Sequence, residues 1–359
     1  MIRKCTCQYV PPHVTGRILR NAGSLLRVNP KSIESLRASE VSAKAFRAYR
    51  SLEAPAQQHR SIKGIARKAA GATQPSARRL VYTCEHEEQQ RVNLVREEGQ
   101  PNCNDTDADT VYEAAGVVRA FFKNVLGRES IDDASMDIIL NVHFGQDYNN
   151  AFWDGDEMTF GDGDGQIFVS FARSLDVVAH ELAHGVTQFT AGLDYYSQSG
   201  ALNEHFSDVI GTAITQYDLN QTADSADWLI GNEIMGPTLA GETLRSMKAP
   251  GTAYSNALMG DDPQPAHMDD YFAGPADNQG VHINSGIPNR VFYRVASDQL
   301  GTEKAAKLWY RTLQRLWPTA DFLDFAEVLI DTARVLTGER QIPQGTTQTV
   351  RLALKEVGL

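Results

Sequence analysis

Asp176-Val-Val-Ala-His180-Glu181-Leu-Ala-His184-Gly-Val-Thr187 is the stretch whose reading decides this chain. A helical repeat places residues four apart on one face, so His180 and His184 aim two imidazoles at one point. Glu181 is turned by roughly 100° from His180 on the same geometry. It therefore flanks that point, where a carboxylate can take a proton from water on a metal. Val177, Val178, Leu182 and Val186 make the helix apolar, and it is expected in the interior. Two histidines in a core helix also have a plain reading as packed, hydrogen-bonded side chains, so the pattern needs a third ligand.

That ligand stands twenty residues on, in Gly200-Ala-Leu-Asn-Glu204-His205-Phe-Ser-Asp208. A hydrolytic zinc site takes three protein ligands and keeps one open position, which His180, His184 and Glu204 satisfy. Asp208 lies one turn beyond Glu204, where a carboxylate can accept the free N–H of a ligand histidine and fix its tautomer. His205 points elsewhere on its helix and is read as a non-ligand.

With these motifs the chain resembles the thermolysin-family zinc metallopeptidases. The resemblance runs from about Val81 to the C-terminus. It is carried by Asn149-Asn-Ala-Phe-Trp153, Gly161-Asp-Gly-Asp-Gly165, the two helices above, Leu244-Arg-Ser-Met247 and Gly280-Val-His-Ile-Asn-Ser-Gly-Ile287, in that order. It implies an α+β, two-domain zincin with a β-rich N-terminal domain, a helical C-terminal domain and the zinc helix between them. By match, Tyr195 and His282 are the donors to the developing oxyanion, and Asp277 orients His282. Asn150 and Ala151 are expected on an edge strand that holds the substrate backbone, a sequence-tolerant mode of recognition, with Arg245 as a fork of donors for a substrate carbonyl. The pocket for the residue after the cleaved bond is expected to be apolar, lined by Phe168, Phe171, Val177, Ile230, Ile234 and Leu244, and to prefer Leu, Phe or Ile. The family's calcium ligands survive here as Asp176 and Asp227. Leu229 and Asn232 replace carboxylates of the double site, and calcium needs six to eight oxygens, so at most one weaker calcium site is expected.

The 359 residues suffice for two domains, and the division expected is 1–75, 76–189 and 190–359. The net charge of −11 hides an asymmetry: residues 1–75 carry 14 basic against 3 acidic side chains, and the remainder 20 against 42. A basic arm can mark nucleic-acid binding, but here an acidic body follows it in cis and is the simpler partner. No nucleic-acid motif and no apolar run of membrane-spanning length occurs, and the N-terminus has no apolar core of an ordinary secretory signal. The compartment is left as cytoplasmic or reached by a non-standard route, and a monomer is expected.

The opening Cys7-Gln-Tyr-Val-Pro-Pro12 resembles the short propeptides of the protealysin-like branch of the family. The resemblance implies a zymogen whose arm reaches into the cleft. A thiolate binds zinc strongly, so Cys7, or Cys5, is a candidate zymogen ligand. Helices are expected at Val14–Ala22 and Pro30–Ser51, then a cleavable linker over 52–78. Strands are expected at 79–83, 92–95, 136–143 and 166–171, a helix over Asp109–Leu126 capped by Asp107 or Asp109, and helices from about 190 onward. Cys84 and Cys103 are placed to pair, with nothing in the sequence to decide it.

The function expected is a zinc endopeptidase made as a zymogen, acting on protein or peptide substrates. The competing readings are a catalytically silent zinc protein and a basic-armed nucleic-acid binder.

Overall fold

The N-terminal arm enters as strand β1 (Cys7–Gln8), followed by α1 (Pro12–Ala22) and α2 (Pro30–Glu53). A computed structural model describes residues 7–22, 28–53 and 77–359. Most of the expected linker, with its cleavage region, and Cys5 lie outside the described residues. The body begins with β2 (Arg79–Thr83), β3 (Asn93–Glu97) and α3 (Thr106–Phe121), continues through β4 (Ile138–Val142), β5 (Ala151–Trp153) and β6 (Met158–Phe160), and reaches α4 (Leu175–Gln188). A helical half follows: α5 (Ser197–Asp218), short strand pairs β7 (Leu229–Ile230) with β8 (Arg245–Ser246) and β9 (Ser255–Asn256) with β10 (Gly260–Asp261), then α6 (Ala276–Asn284), α7 (Gly286–Val295), α8 (Thr302–Leu313), α9 (Phe322–Gly338) and α10 (Thr346–Glu356). This is the α+β arrangement expected, with a mixed sheet before α4 and helices after it.

The six-stranded sheet runs β1-β5-β6-β4-β2-β3. β2, β4 and β6 are parallel neighbours, while β5 is antiparallel to β6. Strand β1 pairs antiparallel with β5, matching Cys7 to Trp153 and Gln8 to Phe152. The edge expected to receive substrate is therefore covered by the chain's own arm. Among the described residues, no Lys or Arg of the arm pairs with a carboxylate of the body. The arm is held instead by strand pairing, by buried Tyr9, Val10, Val14 and Ile18, and by polar side chains on main chain, such as Asn21 donating to the Leu258 carbonyl at 3.0 Å and Ser35 to that of Asp147 at 2.6 Å.

Zinc helix α4 is buried nearly throughout. Gly185 shows how tightly it is seated: a Cβ there would lie 2.5 Å from Ile131 Cγ2 and 3.0 Å from the Trp153 ring. The expected strand at 166–171 is absent. Asp164 Oδ1 accepts from the amides of Gln166, Ile167 and Phe168, which turns the segment, and only Phe168 forms a bridge, to Met235. Helix α3 starts earlier than expected because Asp105 is its cap, accepting from Asp107 N at 3.0 Å and Ala108 N at 3.1 Å. Asp107 instead pairs with Arg173 and Ser170, each at 2.5 Å. Cys84 and Cys103 are both free.

One knot ties cap, sheet and turn together. His143 places Nδ1 2.8 Å from Asp162 Oδ1 and Nε2 2.9 Å from Asp105 Oδ2, with His86 3.3 Å from the other Asp162 oxygen. His86, His143 and Asp162 could hold an ion, but both nitrogens of His143 already face carboxylates. The bond to Asp162 leads in lifting His143 from 6.5 to about 9, against partial burial. A histidine raised on folding stabilises below its unfolded value, and that contribution is lost as pH rises through its folded value. We expect His143→Gln to lower the thermal midpoint at pH 6, with the gap to wild type closing between pH 6.5 and 9; melting curves across that range check it.

Candidate active site

Helices α4 and α5 pack against each other and bring three ligand atoms to one point. His180 Nε2 and His184 Nε2 are 3.1 Å apart, and each lies 3.5 Å from an oxygen of Glu204. All three side chains are at most 1% exposed. A metal fits this site on the chemistry of its donors: two imidazole nitrogens and a carboxylate converge in a dry interior, at separations suited to a shared cation. Glu204 Oε2 has no hydrogen-bond partner among the described residues. Burial alone would raise the Glu204 carboxyl, but His282 and His184 hold it well below the usual range. Burial also pushes His184 down to about 4, so it is a neutral ligand at neutral pH.

The ligands are braced from behind. His180 Nδ1 lies 2.9 Å from Asp208 Oδ1, the place read for that carboxylate. His184 Nδ1 lies 2.8 Å from Asn203 Oδ1, a partner that the sequence reading missed. Its signal was present, since Asn203 precedes the ligand Glu204, but neighbours on a helix point to different faces, which hid the role. Asp208 also takes two bonds from Arg245 Nε and Nη2, at 3.0 and 2.8 Å, and one from Asn289 Nδ2 at 2.8 Å. Although buried, Asp208 is held down to about 2, chiefly by Arg245. Arg245 is thus an anchor under the metal ligands, and its Nη1 is buried without a partner among the described residues. His205 is a non-ligand, as read: Nδ1 lies 2.7 Å from Asn289 Oδ1, and Nε2 accepts from Trp309 Nε1 at 2.7 Å.

Glu181 sits beside the three ligands. One oxygen accepts from Trp153 N at 2.8 Å and the other, Oε1, has no partner among the described residues. Burial pushes Glu181 up to about 8; a nearby cation favours the ionised carboxylate and would lower it again. Tyr195 donates to Glu204 Oε1 and stands 3.1 Å from His282 Nε2. His282 Nδ1 lies 2.6 Å from Asp277 Oδ1, while Asp277 Oδ2 accepts the His282 amide at 2.8 Å. Burial opposes charge on His282, but Asp277 and Glu204 outweigh it and raise the imidazole to about 9. Both ring nitrogens then carry protons. The Asp277 grip depends on a left-handed turn at Asp277, Asn278, Gln279 and Gly280, with φ of 57, 50, 64 and 79°. Only glycine adopts this freely, so three residues hold local strain at the site.

The arm lies along this constellation. Tyr9 N donates to the Ala151 carbonyl at 3.1 Å. Asn150 grips Val10 twice, Oδ1 accepting from its amide at 2.9 Å and Nδ2 donating to its carbonyl at 3.3 Å. Gln8 presents its carbonyl oxygen 3.1 Å from His282 Nε2. Tyr9 buries its ring edge-on to His180, with centroids 5.1 Å apart. Gln8, Tyr9, Val10 and His13 are contacts to the site that the motif reading did not single out; His13 Nδ1 lies buried 3.9 Å from Asp277 Oδ2. Cys7 departs from its expected role. Its sulfur is in a disulfide, and it is not in the ligand group of His180, His184 and Glu204. A disulfide sulfur carries no thiolate charge for a metal, and pairing with β5 turns the Gln8 carbonyl, not a thiol, toward His282. Phe168, Phe171, Val177, Ile230, Ile234 and Leu244 are all buried within the main hydrophobic core. Asp176 and Asp227 are not among the groups that converge on one point; Asp227 caps its own turn at Leu229, and Asp176 accepts from Gly231 N at 2.7 Å.

Family models agree with this geometry. The model of the thermolysin metallopeptidase catalytic domain matches residues 69–188, and that of the thermolysin metallopeptidase alpha-helical domain matches 191–359. The chain belongs to the thermolysin family of metallopeptidases. It is 50% identical over 262 residues to an extracellular metalloprotease of Pectobacterium carotovorum subsp. carotovorum, covering 72% of this chain and 75% of that protein. It is 40% identical over 265 residues to thermolysin of Alicyclobacillus acidocaldarius subsp. acidocaldarius, covering 71% and 46% respectively. A solved precursor of protealysin from Serratia proteamaculans superposes with a TM-score of 0.82 at 38% identity, over 98% of this chain and 99% of that one. This thermolysin-family chain is thus a metalloendopeptidase, and zinc is its metal.

Asn203 and Arg245 should separate on mutation. Asn203→Ala is expected to weaken metal affinity about 10–100-fold, by loosening His184, as read by chelator competition. Arg245→Ala strands the buried Asp208 charge and should cost about 3–5 kcal/mol of stability, as read by denaturant unfolding.

Proposed function

We propose that this protein is a zinc endopeptidase that cleaves on the N-terminal side of hydrophobic residues and is made as a zymogen, inhibited by residues 1–75. The observation that carries this reading is the arm in the groove: Gln8–Tyr9 lies as a substrate would, its backbone held by Ala151 and Asn150 and the Gln8 carbonyl at His282. The superposition on a protealysin precursor supports the same view. In this reading the catalytic body divides into 76–189 and 190–359 and works as a monomer. The extracellular name of the Pectobacterium relative supports action outside the cell. Among the described residues no helix is long and apolar enough to cross a membrane.

When bound by His180, His184 and Glu204, zinc supplies Lewis-acid polarisation of the scissile carbonyl and acidification of water. Glu181 takes the proton from the attacking water through Oε1, its free oxygen, and passes it to the leaving amine. His282 and Tyr195 donate to the carbonyl oxygen as negative charge develops there, each worth roughly 3–4 kcal/mol in such sites. Asp277 keeps His282 in register and charged. Asn150 and Ala151 align the substrate main chain, which lowers the entropy cost of reaction. Arg245 Nη1 is the free donor for a carbonyl beyond the cleaved bond. The pocket walls are apolar, which favours large hydrophobic side chains after that bond. Cys7 adds a thiolate ligand in the precursor only once its disulfide is reduced.

A silent zinc-binding protein would keep the ligands but has no need of Glu181, Tyr195, His282 and Asp277 in one constellation. Glu181→Gln is expected to lower kcat on a casein-derived peptide by about 10²–10⁴-fold while leaving zinc content stoichiometric. Chelation should abolish hydrolysis, and added zinc should restore it. Full-length protein should gain activity as its mass falls by the arm. Undiminished hydrolysis by Glu181→Gln, or full activity with the arm intact, would contradict the mechanism.

A further inference from the structure

Asp176 is the residue that the established site leaves unused. It opens the zinc helix, yet its carboxylate is buried and meets the arm rather than solvent. Tyr9 is the ring that fills the position after the Gln8–Tyr9 bond, and its hydroxyl donates to Asp176 Oδ2 at 3.1 Å. That oxygen also accepts from Gly231 N at 2.7 Å, and Oδ1 is held by Ser174, whose hydroxyl lies 2.9 Å from Glu233 Oε2. The acceptor is therefore fixed from both sides, by the first turn of α4 and by the turn after Ile230. The guanidinium carbon of Arg245 stands 5.6 Å from the centre of the same ring. Tyr9 is fully buried, so the hydroxyl has no water to fall back on.

We propose that Asp176 is a specificity-determining residue, and that the active enzyme prefers tyrosine over phenylalanine or leucine immediately after the cleaved bond. This rests on the reading of the cleft given above and sharpens it: the pocket has apolar walls and an anionic acceptor at its end. A site with a fixed buried acceptor discriminates against a side chain that fills the same space without a donor. Because Gly231 N and Ser174 keep Asp176 partly satisfied when the hydroxyl is missing, the expected preference is about ten-fold, the lower end for a hydrogen bond to a charged group.

The test uses active enzyme matured from the full chain, with quenched peptides that differ only at the residue after the cleaved bond: Tyr, Phe, Leu or Lys. The wild type should show kcat/KM for Tyr about ten-fold above Phe, and Asp176→Ala should bring that ratio to about one. Equal rates for Tyr and Phe in the wild type, or an unchanged ratio in the variant, overturn the proposal. Because Asp176→Ala could unfold, a second measurement needs no variant: calorimetric binding of Tyr-Val amide and Phe-Val amide to zinc-loaded wild type. Tyr-Val amide should bind about ten-fold more tightly, and equal affinities overturn the proposal. Absence of cleavage of every peptide would count against the hydrolytic function, while the binding pair would still decide the role of Asp176.

Discussion

The structure turns on three buried ligand side chains whose polar atoms are held 3.1–3.5 Å apart by two adjacent helices. Such a cluster is unfavourable by itself, because a carboxylate and two imidazoles lose their water and gain no sufficient donor among themselves. A divalent cation reverses that balance, so binding energy and folding energy become one quantity. The surroundings are arranged around this condition. Asn203 and Asp208 hold the imidazoles, and Arg245 and Asn289 hold Asp208. Arg245 thereby ties the metal site to strand β8.

The second constraint is the edge of β5 that no strand of the body pairs. An open sheet edge recruits any extended chain, which is how a peptidase can read main chain without regard to sequence. The protein manages this edge with its own residues 7–10. In the proposed zymogen, inhibition would follow from the same hydrogen bonds that a substrate would use. Ordering the arm costs conformational entropy, and burial of Tyr9, Val10, Val14 and Ile18 offsets it.

Much of the site was legible because its pattern is local. His180, Glu181 and His184 lie within one helical turn, and Glu204 with Asp208 repeats the same spacing on the next helix. The left-handed turn at Asp277–Gly280 was not legible: no periodicity signals three successive non-glycine residues at positive φ, and only the resemblance singled out Asp277. The strand expected at 166–171 failed because Asp164 captures three amides that a ladder would need. The cap expected at Asp107 or Asp109 fell to Asp105, because both later carboxylates are drawn to arginines from distant segments.

What the sequence by itself determined is the family, the α+β division about the zinc helix and the three metal ligands, since each is set by helical spacing or by an ordered run of motifs. Tertiary structure alone decided how the arm is used: that Gln8 rather than Cys7 faces His282, that Asn203 braces His184, and that Asp176 meets the hydroxyl of Tyr9. These contacts join residues as much as 274 positions apart, and their geometry depends on strand register and helix packing, which composition and local spacing do not encode.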